Sequence, residues 1–449
     1  MLLQVNSVES LGSSAFIPSS KPETQRAIIA ATLAKGTSLI HNDLRCFETD
    51  TMKQACRNIG AIIEEKEGFL KVQGVGRRFT ADKRVIDAVG SGLVFRVFTA
   101  ITSFGESAEI VTGDTVLRTR VMAPLFDALE TLGASIHCIS EPGKAPIVNW
   151  GGGFKGGHCI IPGNVSSQFI TAIMFAAPMA DEPTRISISG EILSSSYIRQ
   201  TIDTLEKAGI KVEAKSDLAE IIVYPGEYQT AEYLISGDYT SSSYLIGAAA
   251  IIPGTTVLSN ISSKSLQGER AIIDVIKALG VKVSFDDQRN ELTLFNEQDE
   301  LSGEFEFDAS DYPNIVPTLA AIGAYVQGTF RVIGGSITRL HKSPRIEAII
   351  SELKTLGVDI TPLLKDGVYD GFVIHGKSHY EGGKTLSSWG DHRIFMSLFV
   401  ASLRCKNANL LEGYSDVICS FPSFFNEFKQ LGVKFKEVEQ DIKDGFKRA

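Results

Sequence analysis

One pattern recurs six times along the 449 residues. A helix-like stretch closes on glycine and runs into a strand-like segment: RNIGAIIEE, ETLGASIHC, EKAGIKVEA, KALGVKVSF, KTLGVDITP and KQLGVKFKE. The glycines are Gly60, Gly133, Gly209, Gly280, Gly357 and Gly432, separated by 73, 76, 71, 77 and 75 residues. Each suits the left-handed position that ends a helix before a strand. A second, Ala-rich apolar helix precedes each of these, beginning near Thr24, Leu93, Ser167, Ser241, Asn314 and His392. It leads into a turn written Gly36-Thr37, Gly254-Thr255 or Gly328-Thr329 in three of the units. Every unit therefore holds two helices and several strands. Solenoid repeats usually run about 20 to 50 residues, so this longer period predicts small α/β modules packed around shared cores. Three modules per half, divided near Gly237, is the natural two-domain split.

Composition removes several alternatives. Hydrophobic residues at 43% and charged residues at 22% give an ordinary globular balance, which sets intrinsic disorder aside. The net charge of −9 repels polyanions, so a nucleic-acid footprint is not expected and any anionic ligand needs a local cluster of cations. MLLQVNSVESLG does not read as a secretory signal, and no run approaches the roughly 18 apolar residues of a membrane span. Cys46, Cys56, Cys138, Cys159, Cys405 and Cys419 form no metal or CxxC pattern and read as reduced thiols of a cytoplasmic protein. No metal and no cofactor is expected. NWGGGFKGGHC, dense in glycine, lacks the order of a dinucleotide loop and reads as a turn. The C-terminal KFKEVEQDIKDGFKRA reads as a solvated end.

Polar residues collect at the starts of the apolar helices: Ser20-Lys21-Pro22 with Arg26, Gly90-Ser91-Gly92 with Arg96, Ser166-Ser167-Gln168, Thr240 to Ser243, Asp311 to Asn314, and Asp391-His392-Arg393. Capping accounts for the Ser, Thr, Asn and Asp residues. It does not account for the cations, because Lys or Arg at a helix N-terminus opposes the macrodipole unless an anion lies between them. Arg118, Arg120, Lys342 and Arg345 add to the same set. Helix N-termini with Arg forks make anion sites by two mechanisms at once.

These residues resemble the enolpyruvyl transferase family over essentially the whole chain. The markers are Ser20-Lys21 with Arg26, Arg96, Thr112-Gly113-Asp114 through Arg120, Val165 to Phe169, Ser194 with Tyr197, Gly237-Asp238, and Asp391-His392-Arg393. The resemblance implies a two-domain, inside-out α/β fold of six βαβαββ modules, three per domain, that closes over its ligands. The domains would be 20–237 and, for the other, 1–19 with 238–449. The implied reaction moves an enolpyruvyl group from phosphoenolpyruvate to shikimate 3-phosphate in a cytoplasmic monomer. By the same resemblance, Ser166, Ser167 and Ser194 would hold the 3-phosphate and Gln168 would reach both ligands. Arg26 and Tyr197 would lie at the shikimate carboxylate, with Lys342 also at the acceptor. Lys21, Gly92, Arg120, Arg345 and Arg393 would take phosphoenolpyruvate. Lys21, His392 and the residue at 314 would stand at the chemistry.

The chain departs from the family at five places. Pro22 replaces a Ser, and Asn314 replaces an Asp proposed as a base. Lys342-Ser343-Pro344-Arg345 stands where the family has KE[ST]DR, and Cys419 replaces a Lys. Gly90-Ser91-Gly92-Leu93 alters the Asn-Ala-Gly-Thr loop. Cations are kept while proton-handling groups are lost, and general acid/base catalysis contributes typically 10²- to 10⁴-fold. Asp311, His341 and Glu347 are the substitutes nearest in sequence. Three readings stay open: a divergent enzyme of the family reaction, a relative acting on another phosphorylated substrate, and a non-catalytic binding protein.

Overall fold

The computed structural model describes residues 2–77, 79 and 84–439. The six repeat glycines all have positive φ, from 76° to 106°, so each helix ends in the left-handed turn that its glycine allows. The six modules are visible as six four-stranded sheets with one strand plan. An edge strand runs parallel to its neighbour, and two antiparallel pairings complete the sheet.

Three sheets are built from contiguous segments. The first uses Val85–Asp87, Glu109–Thr112, Ile147–Asn149 and Ile136–Cys138 in spatial order. The second uses Gly157–Pro162, Thr184–Ser189, Glu220–Val223 and Val212–Ala214, and the third Leu301–Asp308, Val326–Ile333, Val368–His375 and Asp359–Lys365. The remaining three borrow a strand from far along the chain. Glu232–Leu234 runs parallel to Lys35–His41, and Ser14–Phe16 runs parallel to Gly254–Ser259. Leu2–Val5 lies between Asn409–Leu411 and Phe435–Val438, antiparallel to both. The start of the C-terminal segment read as a solvated end is therefore an edge strand; residues from 440 onward lie outside the described residues.

The chain divides into two compact units: Ser19–Asp238 with Lys264–Gly268 (the first unit), and Met1–Pro18, Tyr239–Ser263 and Glu269–Ala449 (the second). Each has its own apolar core. A helix that is apolar all round must be buried all round, and the Ala-rich helices obey this. All thirteen residues of Tyr239–Ile251 are buried, and Lys21–Leu33, Gly92–Ile101, Ser167–Ala176, Val316–Gly323 and His392–Ser402 are nearly so. Charge is confined to the first two turns of these helices.

Three local expectations need correction. Asn314 is not a helix start: the helix begins at Val316, and Asn314 lies in the preceding turn. The Gly-Thr pairs fall inside strands, where glycine φ values of 124° to 139° open extended segments. The Thr240 to Ser243 hydroxyls do not cap from outside the helix but lie within it, with Ser242 and Ser243 donating to the carbonyls of Tyr239 and Thr240. The glycine-dense stretch is a loop, with positive φ at Gly151, Gly152, Gly153 and Gly156, that leads into the strand Gly157–Pro162, and none of the six cysteines is in a disulfide.

Candidate active site

In the first unit, Lys21 opens a helix whose N-cap is Ser20 and whose second residue is Pro22. Proline costs nothing in the first turn, where its missing N–H would have no helical partner. The Lys21 ammonium pairs with Glu48 at 3.0 Å, so this cation is neutralised within its own unit. Arg26, one turn on, is 2% exposed. Its guanidinium donates to Thr201 Oγ1 at 3.0 Å, to the Pro22 carbonyl at 3.1 Å and to the Tyr197 carbonyl at 3.0 Å. Thr201 also bonds Thr171 at 3.0 Å. Arg26 therefore ties its own helix to Ser195–Lys207, Thr201 links that helix in turn to Ser167–Ala176, and burial lowers the Arg26 pKa to about 10.

The second group forms around Gly92. Arg96 is 8% exposed, lies over the Phe169 ring and donates through Nη1 to Gln168 Oε1, while its buried Nε has no partner among the described residues. A Cβ on Gly92 would stand 2.5 Å from Arg96 Nη1, 3.2 Å from Arg120 Nη1 and 3.4 Å from Gln168 Oε1. Glycine is thus the residue that fits where two guanidinium groups and an amide converge. Burial, and then the charge of Arg120, push the Arg96 pKa down to about 9. Two close arginines, one of them buried with an unpartnered Nε, make a site built for an anion.

Beside these lie two helix N-termini. Ser166 caps Ser167–Ala176 by accepting from the Gln168 N–H at 3.3 Å, and Ser167 is buried. Ser194 precedes Ser195–Lys207 in a left-handed conformation at φ 60° without using its hydroxyl as a cap. A non-glycine residue held there stores strain, a feature that clusters at ligand sites.

The second unit holds a different arrangement. Asp391 caps His392–Ser402, accepting from the Arg393 N–H at 2.9 Å, and its other oxygen accepts from Arg345 Nε at 2.7 Å and Ser343 Oγ at 3.2 Å. Burial alone would raise this carboxyl, but the charges of Arg345 and His392 and the bonds from Arg345 and Arg393 hold it well below the usual carboxylate range. Arg345 Nη1 donates to Asn314 Oδ1 at 3.1 Å and meets His341 Nδ1 at 2.8 Å. Arginine only donates, so His341 Nδ1 must be the unprotonated acceptor. Three N–H groups of Arg345 are thereby fixed, and no partner among the described residues takes the two on Nη2. Arg393 and His392 are buried in the same first turn, and Lys342 is exposed.

The structure thus gathers Gly92, Arg96, Arg120 and Gln168 at one place, and Asn314, Arg345 and Asp391 at another. Three contributors escape the sequence reading. Glu48 pairs with Lys21, Glu269 accepts from Asn314 Nδ2 at 3.1 Å, and Glu352 accepts from Trp389 Nε1 at 2.8 Å and the Ser387 N–H at 2.9 Å. None is near its partner in sequence.

A sequence model described as EPSP synthase (3-phosphoshikimate 1-carboxyvinyltransferase) matches residues 5–428. The chain belongs to the EPSP synthase family. Proteins named 3-phosphoshikimate 1-carboxyvinyltransferase from Methanosarcina mazei and Methanocaldococcus jannaschii are 33% and 34% identical to it, each over 97% of this chain and 99% of the relative. A solved EPSP synthase from Acinetobacter baumannii has a TM-score of 0.82 at 23% identity, covering 97% of this chain and all of that one, which establishes the shared fold. As a member of this transferase family the chain is an enzyme of two-domain α/β architecture. Among the described residues, no group of three or more His, Cys, Asp or Glu is placed to hold a metal, and no helix is long and apolar enough to cross a membrane.

Proposed function

We propose that this chain transfers the enolpyruvyl group of phosphoenolpyruvate to shikimate 3-phosphate with release of phosphate. The observation that carries this reading is the Arg96–Arg120 convergence at Gly92, since two like charges within reach of one small volume call for a phosphate or carboxylate. Ser166, Ser167 and Ser194 are the hydroxyls we assign to the 3-phosphate, with Gln168 between the two ligands. Tyr197 and Arg26 belong to the acceptor wall; in view of its three bonds to protein atoms, Arg26 shapes that wall more than it reaches into it. Lys342 is assigned to the acceptor as well. Arg120, Arg345 and Arg393 take the phosphate and carboxylate of phosphoenolpyruvate, Arg345 through its open Nη2. Lys21 and His392 are the groups we place at the reacting centre, and Asn314 positions without taking up a proton, because an amide is no base at neutral pH. The chain works as a cytoplasmic monomer on small anions, and its charge of −9 disfavours nucleic acid.

The test is phosphate release from phosphoenolpyruvate in the presence of shikimate 3-phosphate. Wild type should turn over, and Arg120→Ala and Arg393→Ala should each lower kcat/KM by at least 10-fold, the loss of one charge-assisted bond. Asn314 and Cys419, standing where the family carries Asp and Lys, favour a second reading in which the chain binds these anions but acts on another phosphorylated substrate or on none. Tight binding without phosphate release would select it. No binding of either ligand at millimolar concentration would overturn both.

A further inference from the structure

Glu269 and Asn314 lie 45 residues apart, in a short 3-10 turn and in the turn before Val316–Gly323. Glu269 is 1% exposed, and its Oε1 accepts from Asn314 Nδ2 at 3.1 Å. On the other side, Asn314 Oδ1 accepts from Arg345 Nη1 at 3.1 Å, and Arg345 Nε is fixed on Asp391. The orientation of the Asn314 amide is settled by chemistry. Arginine has no acceptor, so the atom facing it must be the oxygen, and the NH₂ is left to face a carboxylate that accepts. The result is a linear chain, Glu269–Asn314–Arg345–Asp391, ending in a carboxylate at both ends.

We propose that Glu269 is a positioning residue of the active site: it locks the Asn314 amide, which holds Arg345 so that its open Nη2 faces the anionic substrate, and positions 269 and 314 together require one carboxylate and one amide. This rests on the proposed function for the identity of the anion. Restoring a carboxylate at 314 alone therefore does not recreate a free base. It places two carboxylates about 3 Å apart, which cannot both ionise, so the pair takes up a shared proton. Arg345, with His341 and Asp391 bonded to it, faces the pair from one side, and Tyr312 lies within the field of Glu269 as well as of Asp274, Asp308 and Asp311. Exchanging the two, as Glu269→Gln with Asn314→Asp, keeps one of each: the amide now at position 269 donates to the carboxylate now at position 314, whose other oxygen still accepts from Arg345.

The experiment uses the full chain as wild type, Asn314→Asp and Glu269→Gln/Asn314→Asp, with calorimetric binding of phosphoenolpyruvate and inorganic phosphate from pH 5.5 to 8.5 and thermal melting over the same range. Asn314→Asp should bind phosphoenolpyruvate at least 10-fold more weakly at pH 8.5 and recover as the pH falls and the shared proton enters. The exchange variant should regain most of the affinity lost by Asn314→Asp at pH 8.5 and show no such recovery on acidification, because its carboxylate faces an amide. An Asn314→Asp affinity that follows wild type across the range, or an exchange variant no better than Asn314→Asp, overturns the proposal. Should wild type bind neither anion, the proposed function fails by itself, and melting still decides the pairing. A raised carboxyl pKa in the folded state costs stability as pH rises above the unfolded value, so Asn314→Asp should melt progressively lower toward pH 8.5 and the exchange should abolish that slope. Equal slopes would overturn the pairing.

Discussion

Replacing Arg96 by methionine should make the unliganded protein more stable and the liganded protein worse. Arg96 Nη1 and Arg120 Nη1 both lie beside the same point above Gly92, so they are within about 6 Å of each other, a separation at which two unit charges repel by roughly 3 kcal/mol at an effective dielectric of about 20. Burial first, and then this repulsion, lower the pKa of Arg96. Against this relief stands the loss of the bond to Gln168 and of the contact with the Phe169 ring, together about 1 to 2 kcal/mol. Arg96→Met should therefore gain on the order of 1 to 2 kcal/mol, which for a unit of this size raises its melting temperature by roughly 2 to 8 °C. Methionine fills the aliphatic part of the space without opening a large cavity. Saturating phosphoenolpyruvate should shift the wild-type transition upward by mass action, and this shift should shrink in the variant as affinity falls about 10- to 100-fold. Scanning calorimetry of both proteins, with and without ligand, gives all four transitions. A variant that melts lower than wild type when empty, or that keeps the full ligand shift, would refute the account of this cluster as an anion site held open at a cost in stability.

Two further outcomes follow from groups outside that cluster. Glu109 lies in the strand Glu109–Thr112 with both carboxylate oxygens buried and without a hydrogen-bond partner among the described residues, and burial pushes its pKa up to about 7. Because the folded pKa is raised, stability is lost as pH climbs from the unfolded value of about 4.5 to 7 and stays low above it. Glu109→Gln should thus gain roughly 2 to 3 kcal/mol over wild type at pH 8 relative to pH 5, and a pH-independent difference in urea denaturation would contradict this. Glu352 holds the loop before His392, where Trp389 sits at φ 54°. Glu352→Gln must turn its NH₂ on one of the two donors, and should weaken phosphoenolpyruvate binding by about 3- to 10-fold while shifting Trp389 emission in a Trp150→Phe background; unchanged emission would refute the clamp.

What the sequence discloses and what it hides divide along physical lines. The six glycines report a local conformation, φ > 0 at a helix end, and every one appears where its residue type demands. The apolar helices are equally legible, since burial on all sides leaves no polar face to confuse the period. The cations at the helix starts stand out because they oppose the local dipole. Partnership at a distance is hidden. Nothing about Glu269 marks it as the acceptor for an amide 45 residues later, and Glu48 and Glu352 look like ordinary solvated helix residues. The strand borrowings are hidden for the same reason: Ser14–Phe16 carries no sign that its neighbour is Gly254–Ser259. Arg26 shows the converse. Its residue type suggests a ligand, but the Thr201 hydroxyl and two carbonyls occupy it.

The two units hold their arginines by opposite means, and the difference has a consequence for how anions bind. Around Gly92, Arg96 and Arg120 crowd together, and one buried guanidinium nitrogen of Arg96 has no partner among the described residues. An arriving anion there relieves repulsion, so the cost is borne by the empty protein and binding is favoured electrostatically. Around Asp391, Arg345 is neutralised in advance by a carboxylate held well below its usual range. That carboxylate stays ionised through the physiological range, so Arg345 is aimed the same way at every working pH and offers two N–H donors with little net charge. Charge neutralisation is thus concentrated in the first unit and hydrogen-bond geometry in the second. Raising ionic strength should then weaken binding to Arg96 and Arg120 more than to Arg345, because salt screens net charge more than fixed, buried hydrogen bonds. If Arg345→Met and Arg96→Met showed the same salt slope for phosphoenolpyruvate binding as wild type, this division would be wrong. A shallower slope for Arg96→Met alone is the result the geometry requires, because only there does the ligand meet two guanidinium groups crowded against each other.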